Sequence, residues 1–245
     1  MIGSLSIPGA VLFLSMATSS LSAPVVPLFF LGDIFSCAAP PAPPVDHTPK
    51  TCGNEGIAYA IQRHPFKNDF AEFPSLMVDY FHTAKPEQEG KTKRAGFKCD
   101  DPKGCSIYGG ESVNPETIGV NHRGYFIPRL TGMHTISSKN ADDIYLLWLG
   151  ENAYNGKYTK ENADCTASVG QPEKTCSAWL FEGYWYPFRV LMVNGLGPTE
   201  FTLTISGPDG EVIMSDTQDY TDACFAQFSC DGSSPAFQPF GEEKA

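Results

Sequence analysis

The chain has 245 residues, 42% hydrophobic, 12% aromatic and 18% charged, with 17 basic against 28 acidic side chains. That balance excludes a disordered tract, a coiled coil and a collagen-like repeat, and a formal net charge of −11 leaves too few cations to displace counterions from a phosphate backbone, so no nucleic-acid partner is expected. Eight cysteines without a C-x-x-C pair point to disulfides in an oxidising compartment rather than to zinc.

At the start of the chain, Gly9 to Ala17 is a short apolar run followed by Thr18, Ser19, Ser20 and Ser22. This is the pattern of a secretory signal peptide over residues 1–22, although no basic residue precedes it. The next apolar stretch, Val25 to Leu31, is interrupted by Pro27 and closed by Gly32. It falls short of the roughly 20 residues a membrane span needs, so no span is expected in the mature chain. Residues 23–50 read as a Pro-rich linker or pro-segment, because five prolines between Cys37 and Lys50 remove backbone donors and favour extended chain. An ordered domain is expected over residues 51–232, followed by a frayed tail, 233–245.

Within the domain, short apolar segments are divided by Gly, Pro, Asn and Asp. The basic group Lys91, Lys93, Arg94, Lys98 and Lys103, offset by Asp100 and Asp101, reads as a solvated loop. Ile144 to Leu149 (IYLLWL) is a continuous apolar run, as in a strand buried on both faces. Tyr184 to Val193 is a second strong strand, with Pro187 pointing to an edge or a bulge. Phe201, Leu203 and Ile205 alternate with Thr202, Thr204 and Ser206, the period of a half-buried strand. Gly207-Pro208-Asp209-Gly210 then supplies turn chemistry, and Glu211 to Met214 returns as the partner. No long segment has helical spacing with caps, so the reading is an all-β sandwich or barrel.

Catalytic motifs are scarce: there is no G-x-S-x-G elbow, no phosphate-cradling Gly loop and no H-E-x-x-H. His47, His64, His82, His122 and His134 lack ligand spacing and read as loop or core histidines. No particular carboxylate pair is singled out for glycosidase chemistry, and no enzymatic activity is expected. One acidic pair stands out, Asp142-Asp143, directly before the Ile144 strand. Consecutive strand side chains point to opposite faces, so two such carboxylates share one cation only if their peptide leaves ordinary geometry. A cis peptide would achieve this at about 3–4 kcal/mol, offset by a hard divalent cation held through oxygens.

Gly56-Ile57-Ala58-Tyr59-Ala60, Ile61 and His64-Pro65-Phe66 resemble the opening of fungal GLEYA adhesin domains. Gly124-Tyr125-Phe126, Pro128 and Thr131-Gly132-Met133-His134-Thr135 are similar to the core of that family and of PA14-type domains, and Asp142-Asp143 falls where those adhesins carry paired aspartates. Gly183-Tyr184-Trp185-Tyr186-Pro187-Phe188-Arg189 resembles the following strand, and Asn194-Gly195 opens the equivalent of the second calcium-binding loop. The resemblance covers about residues 52 to 215, with the motifs in family order.

It implies a PA14-like β-sandwich stapled by disulfides and a calcium-dependent lectin related to yeast flocculins and epithelial adhesins. By that resemblance Asp142, Asp143 and Asn194 are the side-chain ligands of Ca²⁺, Leu196 and Pro198 are carbonyl donors, and sugar hydroxyls fill the open positions. The partners implied are glycans carrying terminal sugars on cell-surface or wall polysaccharides, met by a monomeric domain at the fungal cell wall or in secreted form. Pro198 stands where flocculins carry tryptophan, so sugar preference does not transfer. Trp148 and Trp185 read as core rather than as sugar platforms. The segment Glu151 to Thr175 could overhang the site, with Cys165 and Cys176 closing it locally. Two other readings fit the same sequence: a non-catalytic PA14-like structural or protein-interaction module, and an accessory domain of a secreted glycosidase. No N-x-S/T sequon occurs.

Overall fold

A computed structural model describes residues 52–66, 73–139, 141–171, 173–217 and 224–244. The signal-peptide and linker expectations, Cys37 and His47 lie outside these residues. The alternating and continuous apolar segments form strands, in chain order β1 (Ile57–Arg63), β2 (Pro86–Thr92), β3 (Gly96–Cys99), β4 (Cys105–Ser106), β5 (Ser112–Val113), β6 (Ile118–Phe126) and β7 (Gly132–Lys139). They continue as β8 (Ile144–Leu149), β9 (Cys165–Ser168), β10 (Lys174–Leu180), β11 (Tyr186–Asn194), β12 (Thr199–Ser206), β13 (Val212–Met214) and β14 (Phe225–Ala226). The longest helix among the described residues is a single turn, α1 (Tyr80–Thr83). One sheet runs β2-β1-β6-β11-β8-β9, with β14 beside β6; the other runs β10-β7-β12-β13, with β3 beside β12. All their pairings are antiparallel. The expected all-β sandwich is what forms.

The main core lies between the sheets. Tyr145, Leu147, Phe188, Val190 and Met192 of the first face Ile136, Ala178, Phe201, Leu203 and Ile205 of the second. The other face of the first sheet is covered too: Ile144, Leu146, Trp148, Leu191 and Val193 pack with Phe73, Leu76, Val78, Phe81 and Tyr158. Strand β8 is therefore apolar at every position because both its faces are dry. The hairpin read at 207–210 closes as expected, with Gly207 N–H donating to Glu211 O at 2.8 Å and Asp209 accepting from Glu211 N–H at 3.0 Å. Among the described residues three disulfides staple the sandwich: Cys52–Cys230, Cys99–Cys105 and the expected local pair Cys165–Cys176.

Three expectations change. Pro187 lies in β11, a central strand between β6 and β8 rather than an edge. Its carbonyl accepts from Gly150 N–H at 2.7 Å, so its missing donor points to the same side, where β8 has already ended at Leu149. Lys91 and Lys98 belong to strands β2 and β3 rather than to a loop, and Lys98 lies 3.4 Å from Asp100 and 3.6 Å from Glu200.

The segment after Cys230 does not fray. It packs back so that Glu243 is buried between Arg123 and Arg189, which sit opposite each other on β6 and β11. Like charges so placed repel. Glu243 Oε1 accepts from the guanidinium groups of both, with Arg189 at 2.7 Å. Arg123 stacks 3.5 Å from the Phe240 ring centre and Arg189 3.9 Å from that of Tyr158. Burial, then the Arg189 charge, lowers Arg123 to about 10. Removing the one anion from a buried cluster leaves uncompensated charge, so Glu243→Gln is expected to cost about 3–5 kcal/mol. Thermal unfolding checks this, with Ser233→Ala, at an exposed position of the same segment, as a control expected to stay within about 0.5 kcal/mol of the parent.

Candidate metal and ligand site

The register between β8 and β11 builds the site. Val193 pairs with Ile144, so Asp143, one residue before β8, lies beside Asn194, the last residue of β11. Asp143 N–H donates to Val193 O at 3.1 Å, and its carbonyl accepts from Val169 N–H at 2.7 Å. Asp142 is tied to the opposite sheet: its N–H donates to Glu200 O at 3.1 Å and its carbonyl accepts from the Thr199 hydroxyl at 2.9 Å. The Asp142–Asp143 peptide is cis, and the two carboxyl groups stand within hydrogen-bonding reach of each other.

Burial and mutual repulsion crowd the pair. Asp143 is buried, and one carboxylate oxygen accepts from Gly195 N–H at 2.6 Å. Asp142 is pushed up to about 6, first by burial, then by the charge of Asp143 and the hydrogen bond to it, and last by Glu200.

Asn194 is fully buried. Its Nδ2 donates to Pro115 O at 2.7 Å and to Gly197 O at 3.3 Å, while Oδ1 has no hydrogen-bond partner. Both amide hydrogens are thus used to hold the side chain, and a buried acceptor is left open, an arrangement that costs free energy unless a ligand fills it. Leu196 and Pro198 follow in the exposed loop to β12, which turns at Gly197 with φ +84°, a conformation glycine tolerates without strain. The sequence-derived set is thereby brought to one end of the sandwich. A cleft of about 580 Å³, in the range of small-ligand sites, runs from Ile144 along β9 past Thr166 and Ser168, with Lys160 and Lys174 on its walls.

The donors Asp142, Asp143, Asn194 and the loop carbonyls are all oxygens, the set a hard divalent cation takes. Among the described residues no three of His, Cys, Asp and Glu gather as a metal cluster, so the fit depends on the amide and backbone oxygens. Trp148 is fully buried, its indole N–H donating to Thr159 O and Asn162 Oδ1, and half-buried Trp185 packs 5.7 Å from the Tyr125 ring.

Sequence reasoning passed over the braces of this site. His64 is buried, its Nε2 lies 2.9 Å from Asn194 O, and its Nδ1 accepts from Phe66 N–H at 3.2 Å. The carbonyl can only accept, so Nε2 carries the hydrogen, and burial lowers His64 to about 4. The His64-Pro65-Phe66 motif was its only trace in the sequence.

The raised Asp142 has a measurable consequence. The folded state keeps a proton that the unfolded chain has given up between about pH 4 and 6, so metal-free stability falls as pH rises through that window. Asp142→Asn is expected to flatten this slope and to stabilise the metal-free protein by about 1 kcal/mol at pH 7, solvent screening at the half-buried carboxyl holding the gain below the full shift. Unfolding with chelator present across pH 4–7 checks it.

Comparison with known proteins bears on the fold. Residues 118–207 match the GLEYA domain model. Flocculation protein FLO1 of Saccharomyces cerevisiae is 22% identical over 157 residues, covering 56% of this chain, and Flocculation protein FLO10 is 24% identical over 163 residues, covering 59%. The chain spans 10 and 14% of the lengths of these two relatives. Among solved structures, the A domain of Epithelial Adhesin 9 from Candida glabrata, in complex with Galβ1-4GlcNAc, superposes with a TM-score of 0.53 at 14% identity, covering 72% of this chain and 96% of that one. The Epithelial Adhesin 6 A domain, in complex with Galβ1-3GlcNAc, gives 0.50 at 19% identity, with 74 and 94% covered. The chain therefore has the fold of the epithelial-adhesin A domains, and its strands from β6 to β12 carry the GLEYA domain match.

Proposed function

We propose that this chain is a carbohydrate-binding adhesin of the secretory pathway or cell surface, holding Ca²⁺ at Asp142, Asp143 and Asn194 and binding terminal sugars there without catalysis. The observation that carries this reading is the buried, unpartnered Asn194 Oδ1 beside a crowded aspartate pair. Asp142 and Asp143 would supply two negative charges, Asn194 a neutral oxygen, and Leu196 and Pro198 backbone carbonyls. A calcium ion takes roughly 6–8 oxygen ligands, leaving positions that vicinal sugar hydroxyls can fill. Gly195 N–H, donating to Asp143 at 2.6 Å, holds that carboxylate in place at the site. The disulfides and the glycan complexes of the epithelial-adhesin neighbours support the setting.

A glycan array run with Ca²⁺ and with EDTA tests the reading. Binding is expected only with Ca²⁺, and Asp143→Ala and Asn194→Ala are expected to weaken calcium binding at least tenfold in isothermal titration. Binding that persists in EDTA, or an absence of calcium heat with the parent protein, would overturn it.

A further inference from the structure

The hydrogen bonds around Asn194 continue outward to the surface. Pro115, whose carbonyl receives the Asn194 amide at 2.7 Å, lies in the loop between β5 and β6. That loop is held on both sides of the proline by one side chain: Arg63, the last residue of β1, donates through a terminal guanidinium nitrogen to Asn114 O at 3.2 Å and to Glu116 O. Arg63 is itself aimed by a two-point pair with Glu87 on β2, Nε to Oε1 at 3.0 Å and the second terminal nitrogen to Oε2 at 2.8 Å. Two further bonds hold the same loop: Thr117 N–H donates to Gly195 O at 2.6 Å, beside Asn194, and His64 N–H, directly after β1, donates to Thr117 O at 3.0 Å.

The geometry points to Arg63 as a positioning residue for the cation site: by holding the Asn114 and Glu116 carbonyls it sets the Pro115 carbonyl, which orients the Asn194 amide and presents Oδ1 to the ion. The inference rests on the calcium reading of Asn194. An amide without a fixed acceptor for Nδ2 is free to turn Oδ1 away or to swap its two ends, so the affinity of the site depends on a guanidinium that never touches the ion. Arg63 and Glu87 are both partly exposed, and an exposed ion pair contributes little to stability on its own, so their loss should be felt at Asn194 more than in the fold.

Calcium titration of the full chain, paired with unfolding in EDTA, tests this. Arg63→Met is expected to lower calcium affinity roughly tenfold, the size typical of losing a residue that orients a metal ligand, while the metal-free melting temperature stays within about 2 °C of the parent. Arg63→Lys, which restores a cationic donor towards the two carbonyls, is expected to recover most of the affinity. In the metal-free protein, the Asn194 side-chain NH₂ hydrogens should exchange slowly in the parent and faster in Arg63→Met. Unchanged affinity in Arg63→Met, or a loss matched by an equal fall in metal-free stability and not recovered by lysine, would overturn the positioning role alone. Absence of calcium binding in the parent would overturn the site reading together with it.

Discussion

Strand β8 is held on both faces and along both edges, and that double burial governs where every polar group of the site can go. Its side chains alternate between the inter-sheet core and the layer under Phe73, Phe81 and Tyr158, while β11 and β9 take its backbone. A one-residue slip against β11 would exchange the two apolar sets and drive Tyr145 and Leu146 into the wrong layers, so the register is fixed strongly. The pairing of Val193 with Ile144 then leaves no choice about the next positions: Asp143 meets the Asn194–Gly195 corner. The site stands on a register that hydrophobic burial enforces.

The same sheet carries a second polar cluster with the opposite chemistry. At Arg123, Arg189 and Glu243 two cations share one carboxylate, with rings stacked over both guanidinium groups. At Asp142 and Asp143 two carboxyl groups are brought together, which raises Asp142, and the neighbouring Asn194 amide is held with its acceptor open. Buried polar groups in folded proteins are ordinarily satisfied, and each cluster keeps one open acceptor, Glu243 Oε2 beside the arginines and Asn194 Oδ1 beside the aspartates.

What the sequence makes legible follows from the range of the signal. β12 shows its period of two, β8 its unbroken apolar run, and the 207–210 turn its glycines and proline, because each reports local geometry. The aspartate pair and Asn194 were legible through family-ordered motifs, and Cys165–Cys176 through their nearness in the chain. Pro187 misled because a proline is tolerated in a central strand wherever the neighbouring strand stops short, and that depends on the length of β8. The tail misled because its composition is that of a solvated segment, while its burial depends on two arginines more than 50 residues upstream. The Arg63–Pro115–Asn194 relay left no trace, since it runs through backbone carbonyls that any residue supplies.

The Cys52–Cys230 bond closes a loop of 178 residues around the sandwich. A pulling force applied between the segments that flank those two cysteines therefore bypasses the sheets: the load passes from one flank to the other through two sulfur atoms. The residues after Cys230 lie outside that closed loop, so tension from the C-terminal side must first draw Glu243 out from between its arginines. Stretching would peel the tail while the end of the sandwich carrying Asp142, Asp143 and Asn194 stayed unloaded.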